Sequence, residues 1–386
     1  MMKKKFPLQG IKVLELARVL AGPWAGQLLA DLGAEVIKIE SPTGDETRAW
    51  GPPFHGGDSS AYFQSTNRGK KSVIANFKNK EDCTMVKNLA KNADVIIENF
   101  KVGGLINYKL DFDNVKSKNP SVIYCSITGF GQNGPYAERP GYDFIIQAMG
   151  GIMDLTGESN GEPQKPGVAY ADLFTGLYSV IAIQSALLER QTTGRGTHID
   201  MSLFDTQLAV LANQGASYLN TGISPTRMGN SHPVIVPYQK FDTQQGPIII
   251  ACGNDKQFKN LCIALGWKFY KAKEYLTNKD RVRHRSSLIT LMQKHMSALS
   301  RDDTLSKLQK AGVPCGPINT VAEALTDAQA MHRKMVYEID NQAMIRSPIL
   351  FDTFALKYKR LPPKLGEHTI EIKENLNRNT FWNRNH

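Results

Sequence analysis

Ile11-Lys-Val-Leu-Glu-Leu-Ala17, Gly22-Pro-Trp-Ala-Gly-Gln-Leu-Leu-Ala-Asp-Leu-Gly33 and Glu35-Val-Ile-Lys-Ile-Glu40 together decide how this chain folds. Two short apolar runs flank a helical pattern, with Pro23 suited to the first helical turn and Gly33 to the C-terminal cap. That is a compact βαβ unit. The turn between the first strand and the helix, Arg18-Val-Leu-Ala-Gly-Pro23, faces a possible anion site. It has neither the GxGxxG pattern nor a Walker-type lysine, so a nicotinamide or nucleoside-triphosphate site is poorly supported. Outward from this unit, strands are expected at 72–77, 94–100, 121–127 and 199–203, with helices at 79–92, 142–153 and 204–219. Strands and helices alternating on this scale predict an α/β fold with a doubly wound, mostly parallel sheet. The loops at 41–57 and 128–135 then lie where such sheets place ligands.

Around 220–233 the composition turns to Gly, Pro, Ser and Asn, as at a domain boundary. The reading is a large domain over 1–225, a smaller α+β domain over 226–325, and a return to the large domain over 326–386. With 386 residues, 41% hydrophobic and 22% charged, the chain has the composition of a globular protein with a sizeable core. Its net charge of +11 comes from lysines scattered along the chain. No nucleic-acid-binding pattern accompanies them, so a solvated basic surface is expected rather than a nucleic-acid partner. Five widely spaced cysteines form no CxxC pair, which indicates neither a disulfide framework nor a thiolate zinc site. His55, His198 and His368 show no metal-ligand spacing either. The basic start is followed by charges that interrupt any signal-peptide core. A cytoplasmic protein with no membrane partner is the expectation.

The second informative stretch is Pro166-Gly-Val-Ala-Tyr-Ala-Asp172-Leu-Phe-Thr-Gly176 and the apolar run behind it, 173–188. The run lacks strand alternation and is too long for a strand, so it predicts a helix buried on most sides, ended by Gly194 and Gly196. It is shorter than the roughly 18 apolar residues of a bilayer span. Asp172 is placed to be the N-cap. A carboxylate held at the mouth of a buried helix is a fixed nucleophile, and the N–H groups that hold it could also hold an oxyanion formed on it.

Several stretches taken in order resemble the class III CoA-transferases, the formyl-CoA transferase and carnitine CoA-transferase family. They include Leu32-Gly-Ala-Glu-Val-Ile-Lys-Ile-Glu40, Asn67-Arg-Gly-Lys-Lys-Ser72, Glu98-Asn-Phe100 and Arg190-Gln-Thr-Thr-Gly-Arg-Gly196. The resemblance runs from Pro7 to Thr369. Through 17–23 and 236–239 it is nearest to the succinate–hydroxymethylglutarate (glutarate) CoA-transferases. It implies a Rossmann-like large domain, a small domain and a homodimer of interlocked rings. It also implies that Asp172 is the nucleophile, passing through a mixed anhydride and an aspartyl-CoA thioester, with acyl-CoA and a free carboxylic acid as substrates and no metal or other cofactor.

The same resemblance implies CoA contacts from Val19, Leu20 and Ala21, from Ala75, Asn76, Phe77 and Lys78, and from Asn99, Phe100 and Lys101. Leu20 replaces a polar residue of formyl-CoA transferases. Ser41 and Asn107 stand where some members carry arginines near the phosphates, leaving Lys38, Lys78 and Lys101 as candidate cations. Arg18, at the strand end, is the candidate for an acceptor carboxylate, whose distal charge suggests a short dicarboxylate such as glutarate with succinyl-CoA as donor. Tyr142, Asp143 and His232 are further candidates near the substrate. The α-methylacyl-CoA racemases share the fold but place a His-Asp pair where this chain has Tyr142-Asp143. A tyrosine with a pKa of about 10 is a poor base at neutral pH, which favours transfer. A non-catalytic acyl-CoA-binding protein is the alternative from another class.

Overall fold

A computed structural model describes residues 6–55, 59–358, 360–378 and 382. The chain divides into two compact units, one comprising 1–153, 165–224 and 334–386, the other 154–164 and 225–333. The large unit is built on a six-stranded sheet: β1 (Lys12–Glu15), β2 (Glu35–Glu40), β3 (Lys71–Ile74), β4 (Val95–Glu98), β5 (Ile123–Thr128) and β6 (His198–Ser202). Every pairing is parallel and the order is β3-β2-β1-β4-β5-β6. This is the doubly wound order expected from the strand–helix alternation, and it reverses direction between β1 and β4, where such sheets open a ligand crevice.

Alternate strand residues feed two cores, as burial on both faces requires. Val13, Val36, Val95, Ile97, Ile123 and Cys125 pack with helix α1 (Ala21–Asp31) and with Ile183 and Leu187. Leu14, Ile37, Val73, Ile96 and Tyr124 face the other way, onto α2 (Lys80–Asn92) through Met85, Val86 and Leu89. The remaining helices needed below are α3 (Asp143–Met149), α4 (Tyr170–Thr193) and α5 (Leu203–Ala209). Gly194, at φ +67, ends α4 as expected.

Two expectations about α4 need correction. With 24 residues it is long and apolar enough to cross a membrane by length and composition, yet half of its most apolar window is buried inside the unit, as in a core helix. It is also not buried on most sides: Leu177, Tyr178, Ile181 and Leu188 form an exposed apolar face. The expected single helix over 204–219 is instead α5 and a separate helix, Ala212–Thr221.

The second unit carries an antiparallel sheet of Tyr238–Thr243, Gly246–Ala251 and Cys315–Pro317, covered by helices Asp255–Ala264, Arg285–Met296 and Arg301–Lys310. Its core includes Phe241, Ile250, Phe258, Leu288 and Leu308. The α+β character agrees with the sequence reading, but the borders differ. Residues 154–164 belong to this unit, and the return to the large one comes at 334. The outlying segment is held locally, by Arg227 on the Asp154 carboxylate at 2.9 Å and by the Gly229 N–H on the Gly157 carbonyl at 3.1 Å. Bonds between residues 73 and 72 positions apart leave no periodic trace in a sequence.

Candidate active site

At the sheet's reversal point one side chain ties the two loops together. Asn99, directly after β4, accepts the Arg18 N–H at 3.0 Å and donates to the Arg18 carbonyl at 2.7 Å, tying it to the loop after β1. Around that clasp lie two adjoining clefts that share Arg18 and Phe100. Val19, Leu20, Ala21, Asn99, Phe100 and Lys101 line the first, together with Tyr142, Asp143 and Asp172. Lys38, Ala75, Asn76 and Phe77 line the second. Lys78 is exposed on the adjoining turn, its N–H bound to the Asn76 carbonyl oxygen of the side chain at 3.0 Å. The sequence-derived residues thus gather at one end of the sheet.

The loop between β1 and α1 is under strain. Val19 has φ +69, a region β-branched residues avoid at a cost of roughly 1–3 kcal/mol. The Asp45 carboxylate holds it there, accepting the Val19 N–H at 3.3 and 3.2 Å, and the same carboxylate receives the Thr47 N–H and hydroxyl. Asp45 is in turn paired with Lys38 at 2.9 Å. Lys38 also contacts Glu15 at 3.2 Å and donates to the Ala17 carbonyl at 2.7 Å. Lys38 is fully buried. This corrects its expected role as a surface cation for a CoA phosphate, because its charge is neutralised beneath the loop. Burial alone would depress its pKa, but Glu15, Asp45 and Glu40 together raise it above the ordinary lysine value. Asp45 is held below the usual carboxylate range: burial opposes this, and the Lys38 charge together with the hydrogen bonds from Lys38 and Thr47 outweighs it.

Asp172 differs from expectation in its local role. The N-cap of α4 is Ala169, and Asp172 is the third residue of the helix. The cap comes from Asp143, whose carboxylate accepts the Ala171 and Asp172 N–H groups at 2.8 and 3.2 Å and is steadied by Gln147 at 2.6 Å. Asp143 opens α3 yet caps α4. The two N–H groups that were to hold an oxyanion on Asp172 are therefore taken. Burial, and then repulsion from Asp143, push the Asp172 carboxyl up to about 7. Asp143 itself is raised, chiefly by burial.

Donors lie instead at the start of α1. That helix has no acidic residue in its first turn and no side-chain cap, and Leu20 and Ala21 at its mouth line the same cleft as Asp172. Gly176 lets the two helices meet. It lies one turn after Asp172, and a Cβ there would stand 2.8 Å from both the Ala21 carbonyl oxygen and Trp24 Cδ1. A glycine inside a helix costs about 1 kcal/mol against alanine, and here it brings the helix that carries Asp172 against α1.

Sequence reasoning missed Tyr62. Its phenol is pushed up to about 12, first by burial and then by the charges of Asp172 and Asp143, so it lies within the field of both. A lone tyrosine in a short helix carries no signal that would have marked it. Arg18 is exposed and paired with Glu46 at 3.4 Å. Tyr142 is exposed at the cleft wall, at the N-cap of α3 but with no capping bond from its side chain. His232 belongs to the second unit, where it takes the Val234 N–H at 3.2 Å and packs on Tyr238 at 5.1 Å. It is a turn histidine and is not among the residues lining this cleft.

The chain belongs to CoA-transferase family III, whose model matches residues 8–369. It is an enzyme of the transferase class. It is 49% identical over 384 residues to a succinate–glutarate CoA-transferase of Agrobacterium fabrum, covering 96% of each chain. Human succinyl-CoA:glutarate CoA-transferase is 40% identical over 373 residues, covering 95% of this chain and 85% of that one. Among solved structures, a CAIB/BAIF family protein from Brucella suis matches with a TM-score of 0.89 and 55% identity, over 97% of this chain and all of that one.

Proposed function

We propose that this chain moves CoA from succinyl-CoA to a short dicarboxylate such as glutarate, with Asp172 as the nucleophile. The observation that carries the reading is a buried carboxylate beside an uncapped helix N-terminus in the reversal-point crevice. The Asp172 carboxylate attacks the thioester carbonyl and CoA thiolate leaves, giving a succinyl–aspartyl anhydride. The thiolate then attacks the aspartyl carbonyl, releasing succinate and leaving an aspartyl-CoA thioester. Glutarate attacks that thioester, and the thiolate returns to the glutaryl carbonyl, freeing Asp172 and glutaryl-CoA. The α1 N–H groups receive the developing oxyanions. The second cleft takes the nucleotide end of CoA, with Lys78 on the adjoining turn and Lys101 on the neighbouring first cleft as candidate cations for its phosphates. Named relatives acting on succinate and glutarate support the substrate choice. Incubation with succinyl-CoA should add one CoA to the peptide holding Asp172, and later addition of glutarate should release glutaryl-CoA. Binding of succinyl-CoA with neither product would instead identify a non-catalytic acyl-CoA-binding protein.

The proposal includes an interlocked homodimer in the cytoplasm. The exposed Leu177, Tyr178, Ile181 and Leu188 face on α4 is apolar surface that a second copy would remove from water. The five free cysteines suit a reducing compartment. Light scattering should give twice the 42.9 kDa chain mass down to nanomolar concentration. A folded monomer there would contradict the assembly.

A further inference from the structure

A distal carboxylate on the acceptor needs a cation with donors to spare, and the first cleft offers three: Arg18, Lys101 and Arg139. Arg18 is already paired with Glu46. Lys101 stands in the segment assigned to CoA. Arg139 was not singled out by the sequence.

Its setting is distinctive. The Arg139 guanidinium carbon lies 4.4 Å from the centroid of the Tyr136 ring and 5.5 Å from that of Phe130. The two rings meet edge to face at 5.4 Å. Stacking on aromatic faces orients a guanidinium while leaving its N–H donors unused. Among the described residues no carboxylate pairs with it. The backbone here is fixed as well. The Arg139 N–H closes a turn onto the Tyr136 carbonyl at 2.9 Å, and Gly141 packs so closely on Gly129, after β5, that a Cβ on either would lie within 2.5 Å of the other's Cα. Two residues beyond Gly141, Asp143 caps the helix that carries Asp172. A short, pinned path therefore links this guanidinium to the nucleophile.

We infer that Arg139 is the specificity cation of the acyl cleft, holding the distal carboxylate of a dicarboxylic acyl group while the proximal one reacts at Asp172. This rests on the proposed dicarboxylate CoA transfer. Because the acyl group of succinyl-CoA and the free acceptor occupy the same cleft in turn, one residue serves both half-reactions.

The test is Arg139→Met, with Arg139→Lys and Arg18→Met alongside, measuring KM for succinyl-CoA and glutarate and the Kd of free CoA. A charge-assisted hydrogen bond lost from a partly solvated site predicts KM values about 10- to 100-fold higher for both acyl substrates. The Kd of free CoA should be unchanged, and Arg139→Lys should fall between. Unchanged KM values, a parallel loss of free-CoA affinity as from a phosphate contact, or a larger KM rise in Arg18→Met would each overturn the assignment. If the wild-type protein makes no glutaryl-CoA, the substrate reading fails before Arg139 is in question.

Discussion

Asp172→Asn is expected to abolish CoA transfer while making the protein more stable above pH 7. The loss should be about a thousandfold or more, since an amide cannot form the anhydride and nothing else in the cleft replaces it. The gain in stability follows from the carboxyl group's titration. Its ordinary value is 3.8, and burial with Asp143 raises it to about 7 in the fold. A group raised in this way contributes stability while protonated, and that contribution is lost as pH climbs from the unfolded value through the folded one. Asparagine loses nothing over that range. The variant's advantage should therefore open between pH 4 and 7, reach about 1–4 kcal/mol and stay level above. Thermal unfolding at pH 5 and pH 8 reads the difference directly. In the wild-type enzyme kcat/KM should fall on the acid side of a limb near pH 7, because only the ionised form attacks. A stability gain that is the same at both pH values would show that Asp172 is not held at a raised pKa.

Lys38→Met is expected to destabilise the large unit by about 3–5 kcal/mol, the usual cost of removing one partner from a buried charge group. Glu15 keeps Lys70 at 2.8 Å, but Asp45 loses its ion-pair partner. Asp45 also holds Val19 in its strained conformation, so the damage should reach the CoA loop. Chemical denaturation should show the stability loss, and the Kd for free CoA should rise in the remaining folded protein. A variant with wild-type stability would mean that water reaches Asp45. One with weakened CoA binding but full stability would return Lys38 to the role of a direct phosphate contact.

The sheet was legible because strands buried on both faces must be nearly continuous apolar runs. Val36–Ile37 and Ile96–Ile97 feed opposite cores, so neither position could be polar. Asp172 stood out through its setting, a lone acid entering a long apolar helix, and the structure buries its carboxylate at the first cleft. What failed were relations across the chain. Whether a lysine in Glu35-Val-Ile-Lys-Ile-Glu40 is solvated or buried depends on carboxylates from Glu15 and Asp45 that only the fold brings to it. Asp143 is the first residue of α3. It caps another helix 28 residues on, and no local pattern encodes that. Arg18 was singled out because it ends a strand beside the expected CoA loop, and Arg139 carried no comparable signal. The rings that orient Arg139 lie in a loop whose shape the sequence does not fix.

The cap that Asp143 places on α4 also bears on the covalent states of the proposed cycle. The anhydride and the thioester of Asp172 are both uncharged. Forming either one moves off Asp172, onto the departing thiolate or carboxylate, the negative charge that burial and Asp143 oppose. The free energy stored in the ionised resting enzyme is thus released on acylation and restored when the acyl group leaves. The covalent intermediates are brought nearer in energy to the free carboxylate, as suits a catalyst that must exchange one thioester for another of similar energy and run in either direction.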